Sequence, residues 1–76
     1  MKKNTAMITG ASDGIGAALT KILLNSGWKV IGISRDLKKL QNLKNNISIN
    51  KSSLKIYACD VQDDLKLKLI AKNNSS

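Results

Sequence analysis

Thr9 to Gly16 reads TGASDGIG, and three of the chain's five glycines, Gly10, Gly14 and Gly16, fall inside it with the spacing G-x3-G-x-G. The stretch separates a short β-prone run, Thr5 to Thr9 (TAMIT), from a helical pattern that opens at Ile15. A strand that reverses sharply into a helix needs a positive φ or a missing Cβ at the turn. The helix behind it presents unpaired N–H groups and the positive end of its dipole. TGASDGIG therefore reads as an anion-binding turn. It differs from G-x-G-x-x-G in spacing but has the same context of strand, glycine turn and helix N-terminus.

Beyond the turn, Ile15, Ala18, Leu19, Ile22 and Leu23 recur at i, i+3, i+4, i+7 and i+8, the apolar stripe of an amphipathic helix, with Ala17, Thr20 and Lys21 off it. This helix is expected from about Gly14 to Ser26, with Gly27 as a left-handed stop. Trp28 to Ile33 (WKVIGI) is nearly all apolar and predicts a buried parallel strand. Ser34, Arg35 and Asp36 end it, and Ser34 and Asp36 are both candidate caps for a helix carrying Leu37, Leu40, Leu43 and Ile47 on one side. The polar run NNISINKSS, residues 45–53, leads to a third strand, Leu54 to Cys59, that places Leu54, Ile56 and Ala58 on one face. A last helix is expected from about Leu65, capped by Asp63 or Asp64, although the alternation in LKLKL also fits a strand. Residues 71–76 read as a disordered tail.

The order βαβαβα implies an α/β fold. Its expected form is a partial Rossmann domain of three parallel strands with right-handed crossovers, the N-terminal half of a doubly wound sheet. At 76 residues the chain makes one domain at most and supports only a small core. With Cys59 as its single cysteine and no histidine, it has no internal disulfide and none of the usual zinc or iron ligand sets. Its apolar runs are too short to span a bilayer, and MKKNTAM lacks the long apolar core of a secretory signal, so a cytoplasmic setting is the expectation. The net charge of +8 admits an acidic partner, but Trp28 and Tyr57 are the only aromatics and do not alternate with basic residues as stacking platforms do. No nucleic-acid role is expected.

TGASDGIG after a strand, SRD at the end of the second strand and CDV at the end of the third resemble, in that order and at βαβ spacing, the short-chain dehydrogenase/reductase family. The resemblance covers nearly the whole chain and matches the family's N-terminal cofactor-binding part. It implies that Gly10, Gly14 and Gly16 shape a turn against the pyrophosphate of a nicotinamide dinucleotide. By the same resemblance Ser12 and Ile15 lie beside the phosphates or ribose, and Thr9 ties the turn to the sheet. Arg35 then stands beside the adenosine ribose, where an arginine attracts a 2′-phosphate and an acid would accept from a 2′-hydroxyl, so NADP is favoured over NAD. Asp13 is a departure, since NADP-preferring relatives often carry a basic residue within the turn. Asp60 and Val61 match the pair that contacts adenine.

The family's catalytic serine, tyrosine and lysine have no counterpart here, so no catalytic residue is assigned. Tyr57 is followed four residues later by Val61 rather than lysine, and Cys59 has no histidine to activate it. The expectation is thus an NAD(P)-binding fragment without chemistry, with an uncovered sheet edge near Thr5 to Thr9 that invites self-association. The alternative is a non-catalytic basic protein that uses the same half-fold to bind an acidic partner.

Overall fold

The computed structural model describes residues 4–48, 50–60 and 62–74. Three strands, β1 (Thr5–Thr9), β2 (Lys29–Ser34) and β3 (Leu54–Ala58), alternate with three helices, α1 (Gly14–Asn25), α2 (Leu37–Asn45) and α3 (Asp64–Asn74). The strands form one parallel sheet in the order β1-β2-β3. Thr5 pairs with Lys29 and Thr9 with Ile33, while Val30 pairs with Leu54 and Ser34 with Ala58. The expected α/β class and element order are both present.

Because successive side chains of a strand leave by opposite faces, β2 builds a core on each side. Val30 packs with Leu24 of α1, Leu43 of α2, Ile47 and Leu54. Ile31 and Ile33 pack on the other face with Cys59 and with Ile70 of α3. Helices α1 and α2 therefore cover one face and α3 the opposite one.

The face by which α1 docks is not the apolar stripe of the sequence. Ile15 is 88% exposed, Ile22 60% and Leu19 43%, whereas Thr20 is fully buried and Leu24 nearly so. Of the stripe only Leu23 packs partly against the core, alongside Ala17. Close approach rather than side-chain volume decides the docking face. A Cβ on Gly16 would overlap the Gly10 carbonyl oxygen, so the helix can seat against the turn only through its Gly16 side, and Ala17, Thr20 and Leu24 follow from there. Burial of the Thr20 hydroxyl is tolerated because it donates to the Gly16 carbonyl at 2.8 Å.

Helix α1 ends as expected. Gly27 has φ +88°, its N–H donates to the Leu24 carbonyl at 3.1 Å, and the Trp28 N–H reaches back to the Leu23 carbonyl at 3.0 Å. Asn50, itself left-handed, adds a side-chain donor to the Leu24 carbonyl at 2.7 Å. The polar run after α2 contains one 3-10 turn at Lys51–Ser53, and Ile47 drops back into the core.

LKLKL is helical, and Asp63 is the cap, its carboxylate accepting from the Lys66 N–H at 3.1 Å. The expected disordered tail is corrected in its first part. Helix α3 continues to Asn74, whose amide donates to the Ile70 carbonyl at 2.8 Å and to the Tyr57 hydroxyl at 3.1 Å. That tie to β3 orders residues whose polar composition alone reads as disorder.

If α1 docks as described, Leu24→Ala should cost about 2–4 kcal/mol by opening a cavity in the core. Leu19→Ala should cost about 1 kcal/mol or less, as for a change at a largely exposed site. Urea unfolding of the two variants measures this, and a larger loss at Leu19 would return the exposed stripe to the core.

Candidate nucleotide site

All three strands run the same way, so their C-terminal ends Thr9, Ser34 and Ala58 share one edge of the sheet, where the connecting loops meet in a cleft of about 740 Å³. The floor is fixed by backbone. Gly10 has φ +69°, and the N–H groups of Gly10 and Ala11 both donate to the Ile33 carbonyl, at 2.8 and 3.2 Å. These bonds, with the Thr9–Ile33 pairing, tie the turn to β2. Gly32 of β2 leaves room for Ala11, whose Cβ would lie 3.1 Å from a side chain there.

A side-chain hydrogen bond joins the glycine turn to the end of β2, and a second bond continues it to the start of α2. The Ser12 hydroxyl donates to the Ser34 hydroxyl at 3.0 Å, and Ser34 Oγ accepts from the Asp36 N–H at 3.2 Å. Asp36 caps α2, accepting from the Lys39 N–H at 3.1 Å. Its Oδ1 is thus committed to the helix.

Arg35 and Asp60 meet across the cleft at 3.9 Å, with side chains 78% and 47% exposed. A pair so solvated contributes about 0.2–1 kcal/mol and is readily exchanged for other partners. Asp60 Oδ1 also accepts from the Gln62 N–H at 2.9 Å, which orients the carboxylate at the β3 end.

The helix N-terminus beside the turn is open. Asp13 occupies the N-cap position of α1 but makes no side-chain capping bond, and a Cβ on Gly14 would meet nothing within 4 Å. A ligand group can therefore approach the backbone at Gly14. Gly16 differs, being the point of closest contact between helix and turn.

Of the residues anticipated from sequence, Gly10, Ser12, Arg35 and Asp60 line the cleft. Gly14 and Gly16 belong to the first turn of α1, Ile15 is exposed on it, and Val61 lies outside the described residues. Ser34, Leu37, Lys39 and Gln62 also line the cleft without having been singled out as ligands. Lys39 enters the lining from the first turn of α2, while Arg35 lies before the N-cap of that helix, so no helical spacing links the two in the sequence. Tyr57, with its hydroxyl on Asn74, and Cys59, buried with its thiol on the Asp60 carbonyl at 3.3 Å, have structural surroundings. Among the described residues no helix is long and apolar enough to cross a membrane, and no cluster of His, Cys, Asp and Glu fit for a metal ion occurs.

Residues 4–74 match the short chain dehydrogenase family, and the chain belongs to it. It is 47% identical over 62 residues to a very-long-chain 3-oxoacyl-CoA reductase of Kluyveromyces lactis, an alignment covering 80% of this chain and 18% of that enzyme. Among solved structures it is similar to a β-ketoacyl-[ACP] reductase from Bacteroides thetaiotaomicron, with TM-score 0.81 and 28% identity, over 95% of this chain and 34% of that one. A serine dehydrogenase complexed with NADP+ superposes with TM-score 0.78 at 28% identity, over 95% of this chain and 28% of that one. The chain spans about a fifth of the length of the curated relatives it matches. The family is one of oxidoreductases whose fold binds a nicotinamide dinucleotide.

The two helical glycines should respond in opposite ways. Gly14→Ala should leave the fold intact or raise stability by about 0.5–1 kcal/mol, since alanine is the better helix former and the space is open. Gly16→Ala should lower stability by about 2 kcal/mol or more, because a Cβ against backbone cannot be relieved by a rotamer change. Thermal unfolding distinguishes them. Equal effects would contradict the close contact between α1 and the turn.

Proposed function

We propose that this chain is the adenosine- and pyrophosphate-binding part of an NAD(P)-dependent oxidoreductase acting on an alcohol/carbonyl pair, with NADP(H) favoured. The observation that carries the reading is the placement of Arg35 and Asp60 across one cleft whose floor is the glycine turn. In it, Gly10, Gly14 and Gly16 shape the turn against the pyrophosphate, and Ser12 and Ile15 lie beside phosphates or ribose. Asp60 accepts from the adenine amino group and Val61 lies along the ring. Arg35 takes the 2′-phosphate. The choice of NADP is supported by the capping bond of Asp36, which engages the carboxylate next to Arg35 in sequence at the start of helix α2 rather than leaving it wholly to a ribose hydroxyl.

Hydride transfer is the cofactor's chemistry, and it needs an acid placed at the carbonyl oxygen. The chain has no histidine, and its one tyrosine is held by Asn74 away from the cleft lining. The proton donor and nicotinamide pocket of a complete family domain would come from further strands and helices. The lie of the helices favours such an extension. With α3 on the face opposite α1 and α2, a right-handed crossover leads toward the outer side of β1, away from β3. The outer edge of β1 at Ala6–Thr9, beside which no strand of the described residues pairs, is the surface through which copies of the chain would associate. A cytoplasmic setting accords with the buried free thiol of Cys59, and no nucleic-acid role is proposed.

Titration calorimetry tests the cofactor choice. 2′,5′-ADP should bind more tightly than 5′-AMP, and Arg35→Ala should remove the difference, a loss of about 1.5 kcal/mol for a solvated charge-assisted contact. Equal affinities for the two nucleotides would withdraw NADP in favour of NAD. Affinity for neither, together with steeply salt-dependent binding to polyanions, would favour the basic binding protein instead.

With NADPH and a panel of reactive carbonyls, the purified chain should leave the nicotinamide absorbance unchanged. Turnover that disappears in Gly14→Val would overturn the assignment of catalysis to residues outside this chain.

A further inference from the structure

We infer that this chain pairs with a second copy of itself across a two-fold axis, β1 against β1 in antiparallel direction, with the apolar flank of α1 from each copy closing over the seam. This rests on the reading of the outer β1 edge as a surface for association, and it specifies the partner strand, its direction and the helix face buried with it.

Backbone directions define the edge. The Asn4 carbonyl accepts from the Lys29 N–H at 2.9 Å and the Gly10 N–H donates to the Ile33 carbonyl at 2.8 Å, so the even-numbered residues of β1 turn their backbone toward β2. By the alternation of a strand, Met7 and Thr9 direct N–H and C=O to the outer side, where no strand of the described residues pairs. The sheet's other edge, β3, carries the exposed Lys55. A charge on an edge strand discourages strand addition, whereas TAMIT has neither lysine nor proline, so self-pairing is directed to β1. Antiparallel pairing about a two-fold axis makes this one edge its own complement. Centred between the two Ile8 residues, it lets Met7 of each copy exchange both backbone bonds with Thr9 of the other. Ile8 packs on the α1 face, so the two Ile8 side chains meet beneath the two helices.

Helix α1 supplies the rest of the surface. Its Lys21 and Asn25 line a small cavity with Asn46, Ile47 and Ser48, which turns that flank of the helix toward the end of α2. At about 3.6 residues per turn, Leu19 and Leu23 stand on the opposite flank, toward the outer side of β1, with Ile15 and Ile22 next to them. The apolar stripe that does not seat in the core is therefore the one beside the open edge. Helix α1 lies across β1 and β2. An axis half a strand spacing outside β1 and helices half a spacing inside it leave the two α1 helices about 10 Å apart, the separation at which helices pack. A stable interface takes about 800 Å² from each partner, more than a strand edge this short supplies, so the α1 flank carries much of the association. The two clefts then lie at opposite ends of the joined sheet.

Sedimentation equilibrium of the purified 76-residue chain, with amide hydrogen exchange at low and high protein concentration, tests this. Wild type should pass from monomer to dimer as concentration rises, and the Met7 and Thr9 amides should gain protection only in the dimer. Leu19→Lys, which sets like charges against each other across the axis, should raise the dissociation constant about tenfold or more. Leu65→Lys, the same change at a residue 75% exposed on α3, should leave it within about twofold. Each chain carries a net charge of +8, so the dimer should strengthen as salt rises from about 0.05 M to about 0.5 M, the opposite of binding to a polyanion.

A monomer at every concentration removes the association reading and this inference together. A dimer that tolerates Leu19→Lys, or whose Met7 and Thr9 amides exchange as they do in the monomer, keeps association and overturns this geometry. The amide measurement is made on wild type and so decides even if a variant fails to fold. Growth into larger species, as head-to-tail pairing of β1 with β3 would give, also overturns the two-fold dimer.

Discussion

The contact of Gly16 with the Gly10 carbonyl is the constraint on which the rest of the structure depends. It brings the N-terminus of α1 to the end of β1 at a distance that no other residue permits, and so sets the side by which the helix lies on the sheet. From that contact follow the burial of Ala17, Thr20 and Leu24, the opening of the helix end beside Gly14, and the outward turn of Ile15, Leu19 and Ile22. The energetic trade is between apolar area and proximity. Seating the stripe would bury three large side chains but would lift the helix, with the N–H groups of its first turn, away from the glycine turn.

The site is a product of parallel topology more than of any single motif. Three strands running the same way deliver three loops to one edge, and each loop contributes polar groups to the cleft. The glycine turn brings Ser12 and Asp13 beside its backbone, the β2 end brings Ser34, Arg35, Asp36 and Lys39, and the β3 end brings Asp60, oriented by its bond from Gln62. Ser12 and Ser34 link the first two loops, so the turn and the basic end are held at a fixed separation. A rigid floor with weakly paired charges above it suits a ligand that must replace an ion pair on arrival. At solvent-exposed positions that exchange costs about 1 kcal/mol or less.

Strands and turns were legible in the sequence because their signals are local. TAMIT ends at a glycine that adopts positive φ, WKVIGI has the continuous apolar character of a strand covered on both faces, and Gly27 stops α1 where a left-handed residue is needed. The docking side of α1 was not legible, since periodicity ranks residues by size and polarity while this helix docks by smallness. Thr20 counts as polar until its hydroxyl is seen to bond within its own helix. The last turn of α3 was missed for a related reason. Asn74 belongs to a polar run, and only the fold brings Tyr57 within its reach. In the site, Arg35, Asp60 and the glycines stand at loop positions that sequence can name, whereas Lys39 and Gln62 join them through the start of a helix and an Asx turn.

The exposed apolar residues mark what the fold leaves uncovered. Ile15, Leu19 and Ile22 on α1, Met7 on β1, and Leu65 and Leu69 on α3 remain in solvent around a small two-sided core. The central claim is narrower, that an adenosine phosphate occupies the cleft at the strand ends, and it is tested by mapping amide shifts of the isotope-labelled chain as 2′,5′-ADP is added. Shifts should concentrate at residues 10–16, 34–39 and 60–62, while β1 up to Ile8 and the loop at residues 46–53 stay unmoved. Shifts spread over the surface lysines with no concentration at the glycine turn would contradict the account.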